Sequence, residues 1–273
     1  MEACRSPRGR RKQNPMNTTI RNKLKEIERK ENIRILYACE SGSRGWQFPS
    51  PDSDYDVRFI YLRPAAWYLS VKPGPDALDF PVNEELDING WDLRKALRLV
   101  GQSNTTPFEW LQSPIVYREA PGFRYALWTL CKEYFSRRNN IMHYLGIARG
   151  ASAAIAEDGT LPIKKLFYIL RPLLAARWCL AHNAIAPMSM DTLMALLPAP
   201  LKEKATLLIK LKAGKAEQYK ISLDPEWAIW INDTQLTCMD AARLLTPDHF
   251  SPETLDRFFR DTISYYDDKR TER

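Results

Sequence analysis

The sequence predicts an α+β protein in which a small mixed-sheet unit precedes a mainly α-helical unit. Strand-like runs rich in β-branched and aromatic residues lie between residues 33 and 90. After about residue 115, apolar residues recur at helical spacing and strand patterns nearly vanish. The chain has 273 residues, 45% of them hydrophobic, which is enough to bury the cores of two modest units. We therefore expect an α/β domain at 17–114 and a helical domain at 115–273.

The first 16 residues form a basic tail. Five Arg and Lys residues against Glu2 alone carry much of the formal net charge of +7. Two prolines, a glycine and few apolar side chains predict that residues 1–16 are disordered. The tail is either an arm that touches RNA or another polyanion, or a solubilising extension, and we favour the second interpretation.

The first unit contains one strand before a Gly-Ser turn and two strands after it. A helix capped by Asn17 or Thr18 comes first, and a helix capped by Asp92 comes last. The strands are predicted at 33–39, 54–62 and 85–90.

The second unit shows apolar stripes separated by Pro and Ser signals. We predict helices at about 121–137, 139–156, 162–183, 189–197, 200–219, 232–245 and 251–266.

Cysteine usage and hydropathy exclude several classes of protein. The five cysteines are scattered, without a CxxC pair or a histidine cluster, which argues against a disulfide framework or a structural zinc site and fits a reducing cytosol. No apolar run approaches the 18 residues that span a membrane, and the start of the chain lacks a secretory apolar stretch. We expect a cytoplasmic protein without a membrane partner.

The residues most indicative of function are a Gly-Ser pair after the first strand and two acids at the head of the second. Asp54 and Asp56 are two positions apart, so on a strand their carboxylates share one face. Neighbouring carboxylates repel unless a cation lies between them, and Mg²⁺ is bound by one or two carboxylates together with substrate phosphates. With Gly42 and Ser43 ahead of them, they indicate metal-assisted chemistry on a nucleoside triphosphate.

Such chemistry uses about three carboxylates, because two metal ions can stabilise the entering and leaving oxygens. Asp87 is the best third candidate, since it lies between two apolar residues of the next predicted strand. Asp92 is the alternative, but its position at a helix start favours an N-cap role. An isolated Asp-x-Asp is weak, because acidic pairs are common in solvated turns. The ordered combination of strand, Gly-Ser, spacer, acid pair and third Asp is much stronger.

These residues resemble the signature of the DNA polymerase β-like nucleotidyltransferase superfamily. More narrowly, the chain is similar to the RNA-ligase-associated predicted nucleotidyltransferases. The segments that carry this second resemblance are 40–46, 53–61, 87–95, 164–172 and 187–188.

The resemblance implies a mixed-sheet nucleotidyltransferase core, an NTP substrate and Mg²⁺, with two ions, or Mn²⁺ in its place. It puts Gly42 and Ser43 on a phosphate-binding turn, Asp54 and Asp56 on metal ligands, and Asp87 on the third carboxylate, so that all three acids are catalytic. The departure is at 45–47, where a small residue such as Ala and a later Gly are typical, and Gly45 loosens the start of the short helix after the turn.

Basic residues around the motif are candidate nucleotide contacts. Arg44 is either a β- or γ-phosphate ligand or a surface ion pair, and Arg58 shares the strand face of Asp56. Ser53 belongs to the same motif and joins the nucleotide-binding candidates. Three further candidates are spaced four and three apart, on one helical face that could close over the triphosphate or be simply solvated. They are Lys164, Tyr168 and Arg171.

We therefore expect an enzyme that moves a nucleoside monophosphate from an NTP to an acceptor hydroxyl and releases pyrophosphate. An RNA end is the favoured acceptor, with an RNA ligase as a partner, while a protein hydroxyl or a small molecule stays open. The second hypothesis is a non-catalytic nucleotide-binding or antitoxin-like module of the same fold. The third is a nucleic-acid-binding protein led by the basic tail.

Overall fold

The computed structural model describes residues 15–80, 85–216 and 218–271. The predicted disordered tail lies outside these ranges, except that Pro15 and Met16 begin the first helix two residues before the predicted cap. Within the described ranges, none of the helices has the length and apolar character needed to cross a membrane.

A five-stranded mixed sheet forms the centre of the first half, with the order β3-β4-β2-β1-β5. Neighbouring strands are antiparallel, except that β2 and β4 run parallel. The strands are β1 (Arg34–Glu40), β2 (Tyr55–Leu62), β3 (Ala77–Phe80), β4 (Leu86–Asp92) and β5 (Val116–Glu119). The edge strands β3 and β5 were not predicted, and β5 extends the sheet past the boundary expected at residue 114.

Helices supply most of the remaining structure, so the predicted α+β class is confirmed. In chain order they are α1 (Pro15–Lys30), α2 (Gly42–Gly45), α3 (Ala65–Tyr68), α4 (Leu93–Gly101), α5 (Thr105–Trp110), α6 (Phe123–Glu133), α7 (Arg137–Ser152), α8 (Ile163–His182), α9 (Met190–Leu193), α10 (Ala199–Ala213), α11 (Pro225–Leu244) and α12 (Glu253–Thr271). A two-stranded sheet of β6 (Thr160–Pro162) and β7 (Lys220–Ser222) joins them.

Helix α11 begins seven residues before its predicted start at 232. The side chain of Asp224 caps it by accepting the backbone N–H of Glu226, and Pro225 occupies the first turn. Asp92 caps α4 in the same way through the N–H of Arg94, which confirms its predicted N-cap role.

Three apolar clusters hold the elements together. Helix α1 covers one face of the main sheet through Ile20, Leu24 and Ile27. Helices α4, α5, α6 and α12 contribute to the cluster on the other face, and α7, α8, α10 and α11 form a third cluster with α8 at its centre. The C-terminal helix α12 therefore packs on the first unit, although the chain enters it from the second.

The face of β2 and β4 on the α4 side changes character along its length. In β2 the side chains of this face are Asp56 and Arg58, followed by the buried Ile60 and Leu62. In the parallel register Asp56 lies opposite Asp87. The first half of this face is thus polar and partly exposed, and the second half is part of the core with α4.

Candidate active site

The Gly42 turn packs directly against the Asp56 carboxylate. Gly42 has a φ of +57°, a conformation that costs other L residues about 1–2 kcal/mol. A Cβ atom at this position would lie 2.0 Å from Oδ2 of Asp56. The backbone N–H of Ser41 donates to the Asp56 carbonyl over 2.8 Å, which ties the turn to β2. Only glycine fits this turn as the structure has it.

Gly45, the departure from the expected pattern, also has a packing reason. A Cβ at Gly45 would lie 2.6 Å from the Met188 methyl group and 2.9 Å from the backbone oxygen of Glu40. Even the methyl group of alanine would not fit at this position, because β1 and the Met188 side chain both lie too close to Gly45.

Two of the three predicted carboxylates bind the same positively charged group, the guanidinium of Arg58. One nitrogen of Arg58, Nη2, donates to Oδ1 of Asp56 over 3.0 Å and to Oδ2 of Asp87 over 2.7 Å. Asp54 lies just before β2, which begins at Tyr55, and its side chain is exposed. Within the residues that the structure describes, no three acidic, histidine or cysteine side chains are grouped closely enough to hold a metal ion. The structure therefore places Asp56 and Asp87 together, while Asp54 lies at the exposed edge of the site, which we call its rim.

This pair fits a divalent cation. Mg²⁺ takes oxygen ligands and commonly uses one or two protein carboxylates, with water and phosphate oxygens completing the shell. A divalent cation held by Asp56 and Asp87 would compete with the Arg58 guanidinium for the same carboxylate oxygens.

Burial raises the pKa of the Asp56 carboxyl above its usual range, and the negative charges of Asp87 and Asp54 act in the same direction. The positive charges of Arg58 and Lys164 oppose this rise. Lys164 lies near the start of α8, so the helical part of the chain contributes a positive charge that acts on Asp56.

Ser43 and Ser53, both predicted nucleotide contacts, lie together beneath the turn. The Ser43 hydroxyl donates to Oγ of Ser53 over 3.0 Å, and the backbone N–H of Ser50 donates to the same oxygen over 2.9 Å. Both serines are about 95% buried. They tie the turn to the loop that precedes β2.

Arg44 braces that loop. Its Nη2 donates to the Ser53 carbonyl over 2.7 Å, its Nε donates to the Asp54 carbonyl over 3.1 Å, and the guanidinium lies 4.0 Å from the Tyr55 ring centroid. These contacts differ from both the phosphate contact and the surface ion pair that we considered from the sequence.

The three candidates on α8 differ in burial, although Tyr168 and Arg171 both pack against the ring of Trp46. Lys164 lies 5.9 Å from the Tyr168 ring centroid, and Tyr168 packs edge-on against Trp46. Arg171 is 3% exposed and donates to Oε1 of Glu109 over 2.9 Å and to the Met188 carbonyl. The structure therefore does not bring the Arg171 guanidinium to the Asp56 and Asp87 carboxylates. Its position within the packed interior around α8 gives it a structural ion pair instead.

Glu40 lies beside the candidate site, although the sequence pattern alone predicts no role for it. It is fully buried at the end of β1, its Oε1 accepts the backbone N–H of Asp56 over 2.9 Å, and its Oε2 accepts the hydroxyl of Tyr117. Burial raises the pKa of Glu40 to about 7. The chain leaves the sheet after Glu40 to form the turn, so this carboxylate takes the place of a backbone acceptor for Asp56. The sequence feature that could have identified Glu40 is an acidic residue at the end of an otherwise apolar strand.

Comparison with known proteins finds a family whose model matches most of the chain. The model of the RlaP family, described as the RNA repair pathway DNA polymerase beta family, matches residues 16–261. The uncharacterized protein YcgL of Bacillus subtilis (strain 168) is 42% identical over 212 residues, which cover 77% of this chain and 82% of the relative.

Two solved structures show more distant similarity. Spectinomycin adenyltransferase AAD(9) from Enterococcus faecialis, crystallised with ATP and spectinomycin, aligns with a TM-score of 0.41 at 12% identity, covering 81% of this chain and 97% of that one. A nucleotidyltransferase-like protein from Exiguobacterium sibiricum 255-15 aligns with a TM-score of 0.30 at 12% identity, covering 84% of this chain and 74% of that one.

Proposed function

We propose that this chain, which belongs to the RNA repair pathway DNA polymerase beta family, transfers a nucleoside monophosphate from a metal-bound NTP to an acceptor hydroxyl. The observation that carries the proposal is the position of the Asp56 and Asp87 carboxylates beside the Gly42 turn. Both carboxylates bind the guanidinium of Arg58, and Asp56 packs against Gly42. A turn that exposes backbone N–H groups can bind phosphate oxygens, and a carboxylate pair can bind the accompanying cation.

In this proposal Asp56 and Asp87 hold Mg²⁺, with Mn²⁺ as the alternative ion. The ion would neutralise charge on the phosphate oxygens during transfer. The exposed Asp54 at the rim is the candidate ligand for a second ion. Arg58 must move aside when a cation binds, because its guanidinium uses the same carboxylate oxygens.

The remaining groups orient the triphosphate and the acceptor. Gly42 and Ser43 provide the turn for the phosphates, and Lys164 provides a positive charge that acts on Asp56. The acceptor oxygen attacks the α-phosphorus, the bond to pyrophosphate breaks, and the proton of the hydroxyl passes to Asp87. The Asp87 side chain is 57% exposed, against 27% for Asp56, so it is the more accessible of the two to an acceptor.

An RNA end is our first choice of acceptor. The family is described as part of an RNA repair pathway, which supports this choice. An RNA ligase as a partner rests on the resemblance noted in the sequence. A protein hydroxyl and a small molecule are the competing acceptors.

Label transfer from α-labelled NTPs tests the proposal. The protein is incubated with each of the four NTPs and Mg²⁺, with total RNA, tRNA or total cell protein as acceptor. We expect label in the RNA and an equal amount of pyrophosphate. Binding of an NTP in calorimetry without pyrophosphate release in any mixture would contradict catalysis and favour a non-catalytic nucleotide-binding module.

A further inference from the structure

We propose that Lys212 of α10 is a positioning residue that locks the Gly42 turn to the helical part of the protein. Its side chain is charged, yet Lys212 is only 1% exposed. Its Nζ donates to the Phe48 carbonyl over 3.0 Å and to Oγ of Ser50 over 2.9 Å. A buried ammonium group costs free energy unless it is hydrogen-bonded, so these contacts fix Lys212 and the loop to each other.

The Phe48 carbonyl and the Ser50 hydroxyl, which accept from Lys212, each connect to Ser43. The backbone N–H of Phe48 donates directly to the Ser43 carbonyl over 3.0 Å. The backbone N–H of Ser50 donates to Oγ of Ser53, which also accepts the Ser43 hydroxyl. On the first route only Phe48 lies between Lys212 and Ser43. On the second route Ser50 and Ser53 lie between them.

Aromatic packing holds the same loop in the helical core. Phe48 is 5% exposed, and its ring centroid lies 5.1 Å from that of Phe167 in α8. Trp46 stacks on Phe48 at 5.9 Å. The segment after the turn is thus inserted into the cluster around α8, while the turn itself rests on Asp56 of the sheet. Lys212 anchors the polar side of this insertion.

The consequence rests on the proposed function. A phosphate-binding turn is effective when its N–H groups are already in position, because ordering them on binding costs affinity. Lys212 thereby increases the affinity for NTP without touching the nucleotide, because it holds Ser43 and with it the Gly42 turn in place beside Asp56.

The test compares Lys212→Met with Lys202→Met. Methionine keeps most of the buried apolar stem and removes the donors, and Lys202 is an exposed lysine of the same helix. Amide hydrogen exchange over residues 41–53 and the NTP dissociation constant are measured at a temperature where circular dichroism shows all proteins fully folded. We expect Lys212→Met to exchange faster in this segment and to bind NTP about tenfold more weakly. Lys202→Met should match the wild type.

Unchanged exchange and unchanged affinity in folded Lys212→Met would overturn the proposal, as would an equal change in Lys202→Met. If Lys212→Met does not fold, Ser50→Ala decides, because it removes one acceptor of Lys212 and should produce a smaller change in the same direction. If the wild type binds no NTP, the proposed function fails, but hydrogen exchange still tests the lock: faster exchange in the variant supports it, and unchanged exchange rejects it.

Discussion

Two halves of one sheet face, formed by the same two strands, have different neighbours and different chemistry. At the start of β2 and β4, Asp56, Arg58 and Asp87 are partly exposed and lie beside the Gly42 turn. Four residues further along β2, Ile60 is completely buried in the cluster that includes α4. Strand alternation is the same in both halves. The difference comes from the helices, which cover one half and leave the other available for polar groups.

We call the half with Asp56, Arg58 and Asp87 the open half, and the half with Ile60 the covered half. Substitutions in the open half should change the rate of nucleotidyl transfer, and substitutions in the covered half should change the free energy of unfolding. The largest effect short of removing the carboxylates is expected from Gly42→Ala. The new methyl group would meet Oδ2 of Asp56, and the left-handed backbone adds strain. Displacing a reacting group by about 1 Å can cost about 100-fold in rate, so we expect a loss of this order in label transfer. The free energy of unfolding should fall by only about 1–2 kcal/mol.

Gly150→Ala is the matched control. Gly150 lies within α7, and a Cβ there would meet nothing within 4 Å. Its transfer rate should equal that of the wild type, and its stability should be equal or slightly higher, because alanine is the better helix former. Equal transfer rates in Gly42→Ala and Gly150→Ala would show that the Gly42 turn does not contribute to nucleotidyl transfer.

In the covered half, Ile60→Ala should lower the free energy of unfolding by about 2–5 kcal/mol, since it leaves a cavity under α4. Denaturant unfolding measures this loss. The transfer rate per folded molecule should stay near that of the wild type. Leu244→Ala is the control, because Leu244 is 88% exposed and its truncation should change stability very little. A large fall in transfer by fully folded Ile60→Ala would show that the two halves are not independent.

Glu40 sharpens the comparison because it is buried beneath the open half. Its pKa is raised from 4.5 to about 7, chiefly by burial. The unfolded chain therefore loses this proton at lower pH than the folded protein, so the stabilising contribution is complete below about pH 4.5 and is lost as the pH rises to 7. Between pH 4.5 and 8 the wild type should lose up to about 3 kcal/mol of stability from this group.

Unfolding of Glu40→Gln as a function of pH checks this expectation. Glutamine can still accept the backbone N–H of Asp56 but does not titrate, so this fall in stability should be absent from the variant. Glu203→Gln removes an exposed carboxyl of α10 and should retain the wild-type pH dependence. Identical pH profiles in all three proteins would contradict a raised pKa at Glu40.

Local pattern was sufficient to predict the α+β class, the long helices and the position of the Gly42 turn ahead of Asp56. Strands β3 and β5 were missed because each has four residues and is defined by pairing with a distant strand. The spacing of Lys164, Tyr168 and Arg171 predicted a shared helical face, but not which part of that face other elements would bury. Glu40 was missed because its role depends on the register that brings Asp56 beside it.

The central claim is that the carboxylates of the open half carry nucleotidyl transfer. Label transfer by the Asp56→Asn, Asp87→Asn double variant tests it most directly, with Asp261→Asn, which changes an exposed aspartate of α12, as the matched control. The account predicts a loss of at least about 1,000-fold in the double variant, since the metal ligands are removed, while unfolding and the control stay close to the wild type. Full transfer by the folded double variant would contradict it.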